Sequence, residues 1–131
     1  MKYISFTNFP VWQRAFKLLL KIYRITKDFP IEEKFGIVSD MRRSANSIVH
    51  NIAEGFGRQQ FKDKCRFYKF SRGSCHELHS QTLVSEGLEY INCTTTKEII
   101  DDIMQVIEEL NTLMKSLELN NNVKQAQNNL K

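Results

Sequence analysis

Residues 95–117 read TTKEIIDDIMQVIEELNTLMKSL, and this stretch decides the fold. Its apolar residues recur at alternating steps of four and three, which is the repeat of an α-helix with a continuous apolar seam. The first column contains Ile99, Ile103, Val106, Leu110, Leu113 and Leu117. A second, adjoining column contains Ile100, Ile107 and Met114, with Met104 beside it. Two columns make a stripe too wide for one facing helix. We therefore expect two neighbouring helices, one of which belongs either to this chain or to another subunit.

The two ends of this helix carry contrasting signals. Thr95-Thr96-Lys97-Glu98 has the pattern of a capping box, which predicts Thr95 as the N-cap and Glu98 at the third helical position. Residues 120–131 read NNNVKQAQNNLK and offer few apolar side chains to bury. We therefore predict a folded domain over residues 1–119 and a flexible polar tail over residues 120–131.

Three further helices are predicted upstream of this one. The first covers about residues 10–28, the second about 35–56 and the third about 61–91, each with apolar residues at helical spacing. Four helices joined by short connections predict an all-α fold, an up-and-down antiparallel four-helix bundle that forms one domain.

Some positions within these helices carry specific expectations. We expect Gly55 and Gly57 to end the second helix, because glycine tolerates the left-handed conformation that closes a helix. We expect Gly73 to mark a bend or the close approach of another backbone, since glycine weakens a helix interior. The first helix is predicted to bury Trp12, Ala15, Phe16, Leu19, Ile22, Tyr23 and Thr26.

The composition supports a helical domain that is not secreted. The chain has 131 residues, the usual length of one domain, and only five Gly and two Pro, whereas sandwiches and barrels need frequent turns. An odd number of cysteines, Cys65, Cys75 and Cys93, argues against a disulfide framework and for a reducing, cytoplasmic location. We expect neither a signal peptide nor a membrane span of about 20 apolar residues.

The charges are distributed unevenly along the chain. The formal net charge is +4, but residues 1–73 hold 15 basic and 6 acidic side chains, whereas residues 74–131 hold 4 and 9. One interpretation is an anionic partner for the basic half. The other is attraction between the two halves, within a bundle or between subunits. The sequence leaves both open.

Two groups of basic residues are the candidate nucleic-acid contacts. The first helix has no acidic residue between Val11 and Lys27, and the third helix begins with a basic half. Clustered Lys and Arg side chains bind phosphates by releasing counterions. We predict that both groups join in one nucleic-acid-binding surface formed by Arg14, Lys17, Lys21, Arg24, Arg66, Lys69 and Arg72. Aromatic residues lie between these charges and either stack on bases or belong to the core: Tyr23, Phe67, Tyr68 and Phe70.

The sequence offers no catalytic or metal-binding pattern. His76 and His79 are three residues apart, whereas the zinc helix motif needs a spacing of four, and Cys75 with His79 provides only two ligands. We expect Glu54 and Glu77 to pair with arginines rather than to form a catalytic pair. The prediction is a protein without enzymatic activity, cofactor or metal.

One segment carries a family resemblance. Residues 42–58 read RRSANSIVHNIAEGFGR, which resembles the signature of the bacterial 23S rRNA-intervening-sequence proteins. The resemblance extends over about residues 6–117. It includes Val11-Trp12 with Ala15, Tyr23 followed by Phe29-Pro30 and Glu33, and Phe67 with Gly73-Ser74 and Glu77.

The resemblance implies a four-helix bundle and no known enzymatic activity. It also implies similarity to the accessory protein of diversity-generating retroelements, a pentameric barrel with a basic surface that works with nucleic acid and a reverse transcriptase. The motif residues are expected to be structural or to form subunit contacts: Arg43, Ser47, Asn51, Glu54, Gly55, Arg58, Gly73, Ser74 and Glu77. The leading hypothesis is a homo-oligomer, a pentamer by this resemblance, that binds RNA or DNA. The alternative is a protein-interaction scaffold whose charge asymmetry serves assembly.

Overall fold

The structure is a computed structural model that describes residues 3–130. Its helices are α1, α2, α3 and α4, and two short 3-10 turns precede α1 and α2. The bounds are Pro10–Thr26 for α1, Ile37–Gly57 for α2, Phe61–Gly87 for α3 and Cys93–Asn129 for α4, with turns at Phe6–Asn8 and Ile31–Glu33. Each helix packs on the next, and α4 returns to pack on α1, while the backbones of α1 and α3 lie diagonally across the bundle and do not approach each other. The predicted antiparallel four-helix bundle is confirmed.

The core is built from all four helices, and α4 contributes both of its apolar columns. Ile99, Ile103 and Leu110 from the first column are fully buried. Ile107 and Met114 from the second column are also buried, at 7% and 8% exposure. The two neighbours of α4 are therefore α1 and α3 of the same chain. Ile100 of the second column is half-buried, and Met104 beside it remains 46% exposed.

The outer flank of α1 differs from the prediction. Phe16 and Tyr23 were expected in the core, but they are 39% and 38% exposed, whereas Val11 and Leu18 are buried instead. Trp12 is half-buried and stacks on Phe16, with ring centroids 5.0 Å apart. A helical apolar stripe that is wider than the core leaves its outer edge in solvent.

The contact between α2 and α3 is close because small residues line it. A Cβ on Gly55 would lie only 2.5 Å from the ring of Tyr68, so this glycine admits the ring and does not end the helix. α2 does end at Gly57, as expected, but no described glycine has a positive φ, so the expected left-handed conformation is wrong. Gly73 has open space around it, and the expected close approach is made instead by Ser71, whose Oγ donates to the Ile48 carbonyl at 2.8 Å.

The C-terminus of α2 and the N-terminus of α4 are capped by groups that the sequence patterns did not indicate. Lys64 Nζ donates to the carbonyl oxygens of Gly55 and Phe56, which lie in the last turn of α2. At the start of α4 the N-cap is Asn92, whose Oδ1 accepts from the backbone N–H of Thr95 at 2.8 Å. The capping box centred on Thr95 is therefore wrong.

The last turns of the chain are helical. The sequence placed a polar tail after residue 119, but α4 continues in one piece to Asn129, with almost all side chains of this segment exposed. The division into a folded domain over residues 1–119 and a flexible tail over residues 120–131 stays a prediction, and Lys131 lies outside the described residues. None of the helices within residues 3–130 has the length and apolar content needed to cross a membrane.

Candidate nucleic-acid interface

A groove of about 740 Å³ runs between α3 and α4 and is rich in cations. Lys62, Arg66, Lys69 and Arg72 follow one another along α3 at steps of four, three and three, which keeps them on the flank of the helix that faces α4. Lys115 of α4 completes the set. The full lining is Phe61, Lys62, Cys65, Arg66, Lys69, Arg72, Asn111, Met114, Lys115 and Glu118. Five cations therefore face one acid.

The cations of the groove keep most of their charge available. Arg72 Nη1 donates to the neutral Asn111 Oδ1 at 2.7 Å, and Arg66 lies 3.7 Å from the carboxylate of Asp63. Lys62 and Lys69 have no ion pair with any of residues 3–130. An anion that entered this groove would find several unneutralised donors.

The floor of the groove is apolar and chemically inert. Cys65 and Met114 are buried beneath the cations. Burial raises the pKa of the Cys65 thiol, an effect that the neighbouring Lys69 partly opposes.

Burial also raises the pKa of Cys75, which lies outside the groove, to about 12. Both thiols stay protonated at neutral pH, which leaves them poor nucleophiles and poor metal ligands.

The histidines and acids do not gather into a metal site within the described chain. No group of three His, Cys, Asp or Glu side chains in residues 3–130 is placed to hold an ion. Cys75 is fully buried, whereas His76 is exposed and His79 is half-buried. The absence of a catalytic role and of a metal stays a prediction.

The basic residues of α1 form a separate group with partners of their own. Arg14 pairs with Glu109 of α4 at 2.5 Å, and Lys21 pairs with Asp102 at 2.5 Å. These α4 acids neutralise a stripe that has no acid on its own helix. Only Lys17 and Arg24 of the predicted α1 set are exposed without an ion pair among residues 3–130.

The two predicted basic groups therefore do not meet. The α1 group lines the boundary with α4 on one side, and the α3 group lines the boundary with α4 on the other. The expectation of one joined surface is wrong, because α1 and α3 are diagonal in the bundle. Lys115, which completes the α3–α4 groove, was missed. Lys115 lies in the acidic half of the sequence, so the charge pattern did not indicate it. The only signal in the sequence was its spacing of four residues from Asn111, which puts the two side chains on the same face of the helix.

The aromatic residues near the cations divide into core and surface. Tyr68 is buried and belongs to the core. Tyr23 is covered by the Arg42 guanidinium, 4.6 Å from the ring centroid. The Phe67 ring is contacted by two guanidiniums, those of Arg58 at 4.7 Å and Arg66 at 4.8 Å.

Phe70 completes the aromatic surface beside the groove. Its ring centroid lies 6.0 Å from that of Phe67 in an edge-to-face arrangement, and the side chain is 51% exposed. Arg66 connects this pair to the groove, because it both lines the groove and contacts the Phe67 ring.

The residues of the family-like motif follow the seam between α2 and α3. Ser47 and Ser74 join the two helices through their hydroxyl groups, 2.7 Å apart, and Asn51 donates to the Ser47 carbonyl. Glu54 lies 3.9 Å from Arg58, which confirms the expected pairing of this acid with an arginine.

The remaining motif residues lie on the outer side of that seam. Arg43 pairs with Asp40. Glu77 accepts a long hydrogen bond of 3.4 Å from Ser44 and has no ion pair within residues 3–130, so its expected pairing with an arginine is wrong. Arg43, Gly73 and Glu77 are exposed. The motif therefore includes a structural seam and an exposed polar edge.

Comparison with known proteins identifies relatives of this chain. A protein-family model described as 23S rRNA-intervening sequence protein matches residues 7–128. A crystal structure of a protein with unknown function from the S23 ribosomal protein family of Bacteroides thetaiotaomicron is similar, with a TM-score of 0.73 and 19% sequence identity. The match covers 80% of this chain and 98% of that chain. At this identity the similarity shows a shared fold. No curated protein matches the sequence.

Proposed function

The chain belongs to the 23S rRNA-intervening sequence protein family, and from this premise we propose that it is a non-enzymatic, homo-oligomeric bundle that binds RNA or DNA through the groove between α3 and α4. One observation carries the proposal. Five Lys and Arg side chains line this groove with a single acid, Glu118, whereas the cations of α1 are partly neutralised by α4. The free cysteines are in keeping with a cytoplasmic location.

Binding by such a groove is governed by counterion release. The logarithm of the binding constant changes with the logarithm of the salt concentration by about −0.7 for each phosphate contact on a single strand and about −0.9 on B-DNA. Five contacts per subunit would give slopes of about −3.5 and −4.5. Phosphate contacts fix the position of a protein without reading sequence, so we expect weak sequence preference.

Charge reversal in the groove tests the proposal. In fluorescence anisotropy with labelled RNA and DNA across a salt series, the double variant Lys62→Glu/Lys69→Glu should bind more weakly. It should also reduce the magnitude of the salt slope by about 1.4 to 1.8, the contribution of two contacts. The matched control is Lys34→Glu/Lys97→Glu, which makes the same change in net charge at exposed positions at the opposite end of the bundle.

Three outcomes are informative. If the groove variant keeps the wild-type affinity and the wild-type salt slope, the groove is not the binding site. If the groove and control variants lose the same amount of affinity, binding depends on the net charge of the protein and not on the groove. A wild-type protein that binds neither RNA nor DNA at low salt would refute the nucleic-acid function altogether.

The oligomeric part of the proposal has its own support on α1. Phe16 and Leu20 are 39% and 46% exposed, beside half-buried Trp12, and they form an apolar strip on the outer flank of the bundle. Light scattering should give a mass several times 15.4 kDa, five times for a pentamer. Leu20→Glu should lower this mass, since a charge buried in an apolar contact is costly. A monodisperse wild-type monomer would refute the assembly.

A scaffold function is the alternative, and the same α1 strip favours it. In that case the bundle assembles or binds a protein without nucleic acid, and a reverse-transcriptase-like partner is the hypothesis suggested by analogy. The ion pairs of Arg14 and Lys21 with α4 already use part of the charge asymmetry inside one subunit. Normal assembly together with no nucleic-acid binding would favour the scaffold.

A further inference from the structure

We propose that the α3–α4 groove takes a single-stranded nucleic acid, with an unpaired base stacked on the exposed ring of Phe70. This inference rests on the proposed nucleic-acid function and specifies the class of strand. It joins two observations that the charge pattern alone does not connect, namely the line of cations on α3 and the aromatic pair beside it.

The first observation is the arrangement of the aromatic pair and its cations. Phe67 is held by the guanidiniums of Arg58 and Arg66, and its contact with Phe70 is edge-to-face, with 81° between the ring planes. The Phe70 side chain remains 51% exposed, and it lies one helical turn after Arg66, whose guanidinium contacts the neighbouring Phe67 ring. Aromatic rings beside cations are the surface on which unpaired bases stack.

The second observation is the length and line of the cationic ridge. Lys62 and Arg72 are ten residues apart on one helix, about 15 Å along its axis at ~1.5 Å per residue. Four stacked nucleotides cover about the same distance at ~3.4 Å each. Arg66 belongs both to this ridge and to the aromatic pair. A strand whose phosphates follow the ridge would thus pass beside Phe70.

The base contact requires a single strand. In a duplex the faces of the bases are stacked on one another, and a side chain at the surface reaches them only if the base is flipped out. In an unpaired strand every base has a free face that stacks on an aromatic ring. Phe70 should therefore contribute to the binding of single strands and contribute nothing to the binding of duplexes.

Substitution of Phe70 tests the inference. The probes are a labelled 12-nucleotide oligo(dT), its RNA counterpart oligo(U), and a 12-base-pair duplex. Phe70→Ala should weaken single-strand binding by about 5- to 150-fold, the range for loss of one stacked base. The salt slope should stay unchanged because stacking involves no counterions, and duplex affinity should also be unchanged. Phe70→Leu should not restore binding, and Val84→Ala, at a position exposed to a similar degree on the same helix, is the matched control.

A fluorescence experiment reports the contact directly. In the double variant Trp12→Phe/Phe70→Trp, the only indole of the chain stands at the proposed stacking position, because Trp12 is the single native tryptophan. Oligo(dT) and oligo(U) should quench its emission at saturation, whereas the duplex should leave the emission unchanged.

The outcomes separate this inference from the proposed function. Binding of duplex and single strand with equal affinity, together with a neutral Phe70→Ala, would overturn the single-strand inference and leave nucleic-acid binding intact. Loss of oligomeric mass in Phe70→Ala would also overturn it, because the ring would then belong to a protein contact. Failure of the wild type to bind any probe would overturn both.

Discussion

Replacement of Gly55 by alanine should destabilise the protein, although alanine is normally the better helix former. The added methyl group would lie 2.5 Å from Cε1, 2.9 Å from Cδ1 and 3.0 Å from Cζ of Tyr68. The Tyr68 side chain is 2% exposed and forms part of the core, so its ring cannot retreat without displacing other core residues.

The magnitude follows from two opposing effects. Overpacking of a core costs about 1–3 kcal/mol, and the gain in helix propensity from Gly to Ala returns about 1 kcal/mol. We expect a net loss of about 1 kcal/mol, which corresponds to a melting temperature lower by about 3–5 °C for a chain of this size.

Gly73→Ala is the matched control in a neighbouring helix. Nothing lies within 4 Å of a Cβ at this position, so the propensity gain is unopposed and the variant should be more stable by about 0.5–1 kcal/mol. Urea unfolding followed by far-UV circular dichroism, at one protein concentration, measures both variants. A Gly55→Ala protein that is at least as stable as the wild type would refute the reasoning from close packing.

Three further predictions concern the ends of the helices. Lys64→Met removes the donor to the last carbonyls of α2 and should cost about 1 kcal/mol in urea unfolding; an unchanged midpoint would contradict this. Glu89→Gly should raise stability by about 1 kcal/mol, because Glu89 has φ 65°, a conformation that glycine adopts freely; a loss would contradict it. The hydrogen bond from Tyr90 to Glu33 raises the pKa of Tyr90, so the stability advantage of wild type over Tyr90→Phe should be complete below pH 10.0 and decline above it; a pH-independent difference would exclude this linkage.

The bundle itself was predictable from the sequence because its evidence is local. The register of α4, with Ile99, Ile103 and Leu110 on its buried face, follows from the steps between apolar residues. Helix ends were less accurate. Asn92 replaced Thr95 as the N-cap, because adjacent polar residues offer competing caps and local sequence does not rank them.

The site was only half predictable. The α3 cations were identified from their clustering in the first half of that helix, but Lys115 was not, because it joins the groove only when α4 packs beside α3. The aromatic residues showed the same limit. Tyr68 and Phe70 are two residues apart on one helix, yet one is in the core and the other is half exposed, and only the packing of α2 against α3 distinguishes them.

The sequence by itself therefore determined the number of helices, the buried face of α4 and the family, since all three depend on short-range patterns. The tertiary structure alone decided which charges neutralise each other. Arg14 and Glu109 are 95 residues apart, and Lys21 and Asp102 are 81 apart. Such pairs depend on which helices are neighbours, and a periodicity within one helix contains no information about its neighbour's charges. For that physical reason the charged residues of α1, which are all basic, are partly neutralised by the acids of α4, while the α3 cations remain available to an anion in the groove.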